Sequence, residues 1–182
     1  MTAKTSKFPD DLRSHQDALL AALATPSLAV WEEEDAEKYK AAEQPEAIAQ
    51  ALVKAIHHTL REAAIGCLFR REIKSRGAMV WAQASKVTGK LHHYSRLDFL
   101  IEVNWTKWAS LSPARRLALI DHELTHCSRE ETDDGETKYV LLPHDIEEFH
   151  SIVRRWGAWR PQLADFANAM GEGQQLGLFT HD

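Results

Sequence analysis

Apolar residues along this chain change period several times, and each change marks an element. Leu12, Leu19, Leu20 and Leu23 predict a first helix over residues 10–23. A polar, acidic stretch over 26–45 reads as a connection. Ile48, Leu52, Ile56 and Leu60 then form an i, i+4 row and predict a stronger helix over 45–64. The period switches to two where Leu97, Phe99, Ile101 and Val103 alternate with Asp98, Leu100, Glu102 and Asn104, a half-buried strand over 97–104. Residues 78–84 predict its partner, with Met79 and Trp81 on one face, and the loop between holds Gly89, His92 and His93. Helical spacing returns at Leu117, Ile120 and Leu124. After a turn at Asp133-Asp134-Gly135, residues 137–142 read as a strand. Ile146, Phe149, Val153 and Trp156 predict a helix from His144 to Gly157, and Leu163, Phe166, Ala167 and Met170 a last one over 161–170. The expected fold is α+β: a small, mostly antiparallel sheet beside the helix of 114–127. The expected regions are 1–44, a main domain over 45–170, and a flexible tail over 171–182 opened by Gly171 and Gly173.

Composition alters this picture little. With 182 residues, 44% hydrophobic and 27% charged, one domain with a real core is expected. A net charge of −5 gives no general case for nucleic-acid binding. Residues 32–37 are acidic, whereas Arg70, Arg71, Lys74 and Arg76 are basic and could form a groove with Lys86, Lys90 and Arg96. Solvated surface is the preferred reading of both clusters. The polar start and the lack of a long apolar run predict no secretory signal and no membrane span. Two cysteines, Cys67 and Cys127, are too few for a disulfide framework or a four-cysteine zinc site, so a reducing cytoplasm is expected.

The candidate chemistry lies in His122-Glu123-Leu124-Thr125-His126. Histidines four apart share one side of a helix, so both imidazoles can reach one metal ion, and the glutamate beside the first can take a proton from water. Ser112-Pro113 reads as an N-cap and first helical residue, and no Gly or Pro interrupts 114–127, so the helix is predicted independently of the motif. The competing reading is a pair of ordinary histidines on an amphipathic helix; cap, spacing and glutamate together favour metal. Cys127 falls off the face of the two histidines and reads as a small buried residue. His57 and His58 are adjacent, point apart, and suit surface or supporting positions.

A catalytic zinc takes three protein ligands and keeps one position for water. His144, expected to open a helix directly after a strand, leads for the third; Glu147, one turn on, is the alternative, and His150 lies on another bearing. Tyr139 is a candidate donor to the developing oxyanion, as are Tyr94 and His93, although a packing or surface role is preferred for each. The 97–104 strand is expected to hold an extended peptide if it lies at a sheet edge.

The runs 98–104, His122 to His126 and His144-Asp145-Ile146-Glu147-Glu148-Phe149 resemble the SprT-like zinc peptidases, and most of all metallopeptidases of phages and prophages. The resemblance covers about residues 78–158. It implies a zincin-like minimal peptidase with Zn2+ on His122, His126 and His144, the last starting a later helix followed by basic residues, here Arg154 and Arg155. Asp145 stands where that pattern has glycine, and Phe149 comes one position later; the zinc ribbon of some relatives is absent. In the tail, Gln175, Leu176, Gly177, Leu178 and Phe179 resemble the peptide by which bacterial replication and repair proteins bind the sliding clamp, with Gly177 in place of Ser or Asp. The competing reading is an apolar tail folded on its own core. The expected function is a zinc-dependent peptidase, acting on DNA-associated proteins if the clamp tether holds. The alternatives are a phage regulatory protease that cuts one repressor or host factor, and a non-catalytic zinc module that binds the clamp.

Overall fold

A computed structural model describes residues 8, 11–27, 31, 38–75, 77–147, 150–159 and 161–175. The chain divides into two compact units, His15–Leu142 and a second made of Met1–Ser14 with Pro143–Asp182.

The larger unit opens with α1 (Gln16–Ala24) and β1 (Tyr39–Ala41), then α2 (Glu43–Ala55). β2 (Ile65–Arg70), β3 (Ile73–Ser75), β4 (Ala78–Val80) and β5 (Ala82–Lys86) follow. After them come α3 (Gly89–Ser95), β6 (Phe99–Asn104), α4 (Trp105–Trp108) and α5 (Pro113–His126), then β7 (Cys127–Glu131) and β8 (Thr137–Leu141). The main sheet has the order β1-β2-β6-β5; β3–β4 and β7–β8 are separate two-stranded ribbons. The second unit holds α6 (His150–Trp156) and α7 (Pro161–Gln175).

β6 forms as its alternation predicts: Phe99, Ile101 and Val103 are fully buried. Its place in the sheet differs from expectation. It is interior, parallel to β2 and antiparallel to β5, so the sheet is mixed and its two edges are β1 and β5. β2 went unread between the predicted end of the second helix at 64 and the basic cluster that starts at Arg70. α2 stops at Ala55, where the Ile56 and His57 N–H groups both turn back to the Leu52 carbonyl. Leu60 is still buried, from a short 3-10 turn. The predicted 78–84 strand is two strands broken at Trp81, with Met79 and Trp81 exposed rather than on a packed face. Asn104 spans that break and is fully buried. Its N–H donates to the Trp81 carbonyl at 2.8 Å and its Nδ2 to the Val80 carbonyl at 2.8 Å, while its Oδ1 accepts from Lys107 N–H and caps α4. The loop predicted to hold Gly89, His92 and His93 is α3, whose residues are all exposed.

Two expectations in the second unit are also corrected. Helix does not begin at His144: residues 142–147 are irregular and α6 starts at His150. Pro143 disfavours helical backbone at Leu142, so the chain leaves β8 extended. The helix predicted to end at Met170 continues through Gly171 and Gly173 to Gln175, so no break opens the tail there. Leu176, Leu178 and Phe179 lie outside the described residues, as do 32–37, Arg76, Glu148 and Phe149. Among the described residues no helix is long and apolar enough to cross a membrane.

Candidate metal centre

α5 starts where the cap predicts. The Ser112 side chain accepts from the Arg115 N–H at 3.4 Å, and Pro113 fills the first turn, where a missing N–H costs nothing. Leu117, Ile120 and Leu124 bury one face, and α5 packs on α2 and β5. That burial sets the rotation of the helix and leaves His122 exposed and His126 half-buried beside it.

The two histidine rings stand nearly perpendicular, at 85°, with Nε2 of one 3.3 Å from Nε2 of the other. Two Zn–N bonds of about 2.0–2.1 Å at a tetrahedral angle put their nitrogens about 3.3–3.4 Å apart, so the spacing fits one shared ion. Nδ1 of His126 lies 2.7 Å from the Leu142 carbonyl, which can only accept. The proton therefore sits on Nδ1, and Nε2 presents its lone pair towards His122, the arrangement that metal-binding histidines take. The Leu142 N–H also donates to the His126 carbonyl at 2.7 Å, so the end of β8 is tied to the end of α5 from both sides. With His144, two residues further on, His122 and His126 make a set of three histidines that could hold a metal ion.

Glu123 is only 3% exposed, because it points from the same helix towards the sheet. Its Oε2 accepts the Ala84 N–H of edge strand β5 at 2.7 Å. Burial pushes its carboxyl pKa upward; the Ala84 hydrogen bond and the nearby His126 act the other way. A carboxylate held firmly and made more basic is suited to accept a proton.

Other predicted residues are accounted for differently. Cys127 is buried, its Sγ donating to the Glu123 carbonyl at 3.5 Å, and burial pushes its thiol up to about 12, in keeping with a small packed residue. Cys67 is likewise buried and free, with its pKa raised. The Tyr139 ring packs edge-on against Phe99 at 5.5 Å, and burial raises its phenol pKa. Tyr94 is 93% exposed and His93 is exposed. His144 and Glu147 are both exposed and lie on irregular backbone, not one turn apart on a helix. Gln175 ends α7, and the rest of the clamp-like peptide is outside the described residues.

Besides the Leu142 carbonyl, sequence reasoning missed two contacts. His57 Nε2 meets Asp121 Oδ1 at 2.6 Å, tying the residue before His122 to the end of α2. Ala84 supplies the backbone donor that orients Glu123. Neither has a local signal, since the partners are 64 and 39 residues apart.

A family model described as "Putative phage metallopeptidase" matches residues 37–171, most of the chain and all of the residues named around α5. No curated protein and no solved structure matches.

Proposed function

The chain belongs to the phage metallopeptidase family, and we propose that it is a zinc peptidase of the His-Glu-x-x-His kind, with His122, His126 and His144 as the ligands. The observation that carries this reading is the 3.3 Å spacing of the two Nε2 atoms, with the His126 tautomer fixed by Leu142. His144 is preferred to Glu147 because it follows by two residues the carbonyl that His126 binds, a span of no more than about 7 Å, and because three histidines form a matched nitrogen set.

Zinc, when bound, lowers the pKa of a coordinated water and polarises a substrate carbonyl. The remaining work falls to the chain. Glu123, oriented by Ala84, takes the proton of the attacking water and returns it to the leaving amine. β5 replaces β6 as the strand that holds an extended substrate, since it ends its sheet beside Glu123; the Ala84 N–H is already taken by Glu123, so the pairing uses the outward groups of Ala82 and Lys86. Tyr139→Phe would keep the ring contact with Phe99 while removing the hydroxyl, and so tests Tyr139 as an oxyanion donor.

Substrate and place rest on sequence. Gln175, Leu176, Leu178 and Phe179 support a sliding-clamp tether, and with it cytoplasmic action on proteins bound to DNA; cleavage of one repressor or host factor is the alternative. The decisive assay is hydrolysis of an unfolded protein such as casein. It should stop with a zinc chelator, return with added zinc, and be unaffected by serine- or cysteine-directed inhibitors. Chelator-resistant hydrolysis would reject the mechanism, and zinc binding without any hydrolysis would favour the non-catalytic module. Removing residues 176–182 should abolish capture by an immobilised clamp without changing casein hydrolysis.

A further inference from the structure

The connection from β5 to β6 is a run of cations without counter-charges. Residues 81–97 contain no Asp or Glu, in a chain that has 27, yet they hold Lys86, Lys90 and Arg96. α3 fills the middle of this run, and every residue from 88 to 96 is exposed. Among the described residues none of the three cations is in an ion pair, whereas Arg70, Lys74 and Arg129 are matched by Glu102, Glu72 and Glu62. Asp98, the first acidic residue after the run, already takes the Ala64 N–H and His92. Arg96 caps α3 at φ 60°, the one non-glycine positive φ among the described residues, where glycine would sit without steric cost.

The run continues the strand that orients Glu123. The bonds from Asn104 N–H to Trp81 and from Val87 N–H to Asp98 turn Trp81, Gln83, Ser85 and Val87 towards β6. Ala82, Ala84 and Lys86 therefore carry their backbone polar groups on the outer edge, as the Ala84 bond to Glu123 agrees. Lys86 lies two residues, about 6–7 Å, along that edge from Ala84.

Resting on the peptidase reading above, we infer that Lys86, Lys90 and Arg96 select acidic side chains in a peptide laid along β5, two or more residues from the scissile bond on the α3 flank. Charge complementarity fixes the occupant as an acidic peptide segment. Three cations are few for a nucleic-acid backbone, where about six to ten phosphate contacts are common, and in the neighbouring basic cluster Arg70 and Lys74 are already matched by Glu102 and Glu72.

The test uses fluorescein-labelled twelve-residue peptides that differ only in an Asp, Ala or Lys triplet, with a twelve-nucleotide single strand alongside. Anisotropy is read on zinc-loaded Glu123→Gln protein, and cleavage of quenched versions on wild type. The Asp peptide should bind and be cleaved about ten-fold better than the Ala peptide, from three pairs each worth a few-fold at low salt. The preference should shrink in 0.5 M salt, on the order of a three-fold shorter screening length than at low salt. Lys86→Glu/Lys90→Glu/Arg96→Glu should reverse the order with zinc content unchanged. Arg96→Gly, which relieves the backbone, should fold at least as stably and lose about two- to three-fold of the preference. Equal binding of the Asp and Ala peptides overturns the inference. So does tighter binding of the oligonucleotide that is lost in the triple variant, which would make the run a nucleic-acid surface. Selective binding of the Asp peptide with no cleavage of any peptide would reject the peptidase reading while leaving the acidic-peptide site on β5 standing.

Discussion

Replacing Glu123 by Gln separates its two roles. Its carboxylate is 3% exposed and accepts one backbone N–H, from Ala84 at 2.7 Å. Glutamine has nearly the same volume and an amide oxygen that can keep that bond, so the fold should be retained, but it cannot take a proton from water. Loss of a general base costs about 10²- to 10⁴-fold in rate. Stability should move the other way. Burial raises the Glu123 pKa, so in the metal-free protein this group favours the fold below its unfolded pKa of about 4.3 and loses that contribution as pH rises through the folded value. The Gln variant, which does not titrate, should therefore gain on wild type between pH 4 and pH 7. Glu123→Ala should be equally inactive but less stable by about 1–3 kcal/mol, because it strands the Ala84 N–H. The assays are kcat/KM on a quenched peptide, zinc per chain, and urea midpoints of the metal-free proteins at both pH values. A Gln variant within ten-fold of wild-type kcat/KM, with zinc bound, would mean that Glu123 is not the general base.

Asn104→Ala removes a buried amide that satisfies Val80 and caps α4, and should cost about 2–4 kcal/mol in urea unfolding; a cost below 1 kcal/mol would mean the strand break is held by other groups. The buried thiols predict alkaline loss of stability. Cys127 titrates near 12 and Cys67 is also raised, so stability is complete below the unfolded thiol pKa and falls as pH climbs above it, by about 1 kcal/mol per thiol between pH 9 and 10. A Cys67→Ala/Cys127→Ala protein should lack that extra slope when urea midpoints are compared. Asp121→Asn keeps a weaker partner for His57 and should slow hydrolysis less than Asp121→Ala, which frees the end of α2 from the helix of His122; equal rates in the two variants would show that the contact does not position the site.

What could be read from the sequence was local. α5 was legible because a cap, a proline, a breaker-free run and a 3.6-residue period agree over one stretch, and β6 because alternation marks a strand with one face buried. β2 was not, because Leu68 puts an apolar residue on its less buried face as well: Ile65-Gly66-Cys67-Leu68-Phe69 is a short apolar run that extends a helical row equally well. β7, Cys127-Ser128-Arg129-Glu130-Glu131, has no apolar period and is a strand only because β8 pairs with it. α3 buries nothing and so leaves no stripe to read. At the site, His122, Glu123 and His126 share one helix and one spacing rule. The Ala84 donor, the Leu142 acceptor and the Asp121 partner come from segments that only the folded chain brings near.

His122, His126 and His144 as the proposed ligands of one zinc ion are best tested by metal content after exhaustive dialysis, measured on wild type and on His122→Ala, His126→Ala, His144→Ala and Glu147→Ala proteins. Wild type and Glu147→Ala should hold one zinc per chain, and each histidine variant should lose at least ten-fold in affinity. Full zinc retention in His144→Ala with loss in Glu147→Ala would contradict the ligand set, and a wild-type chain that binds no zinc would contradict the metal centre itself.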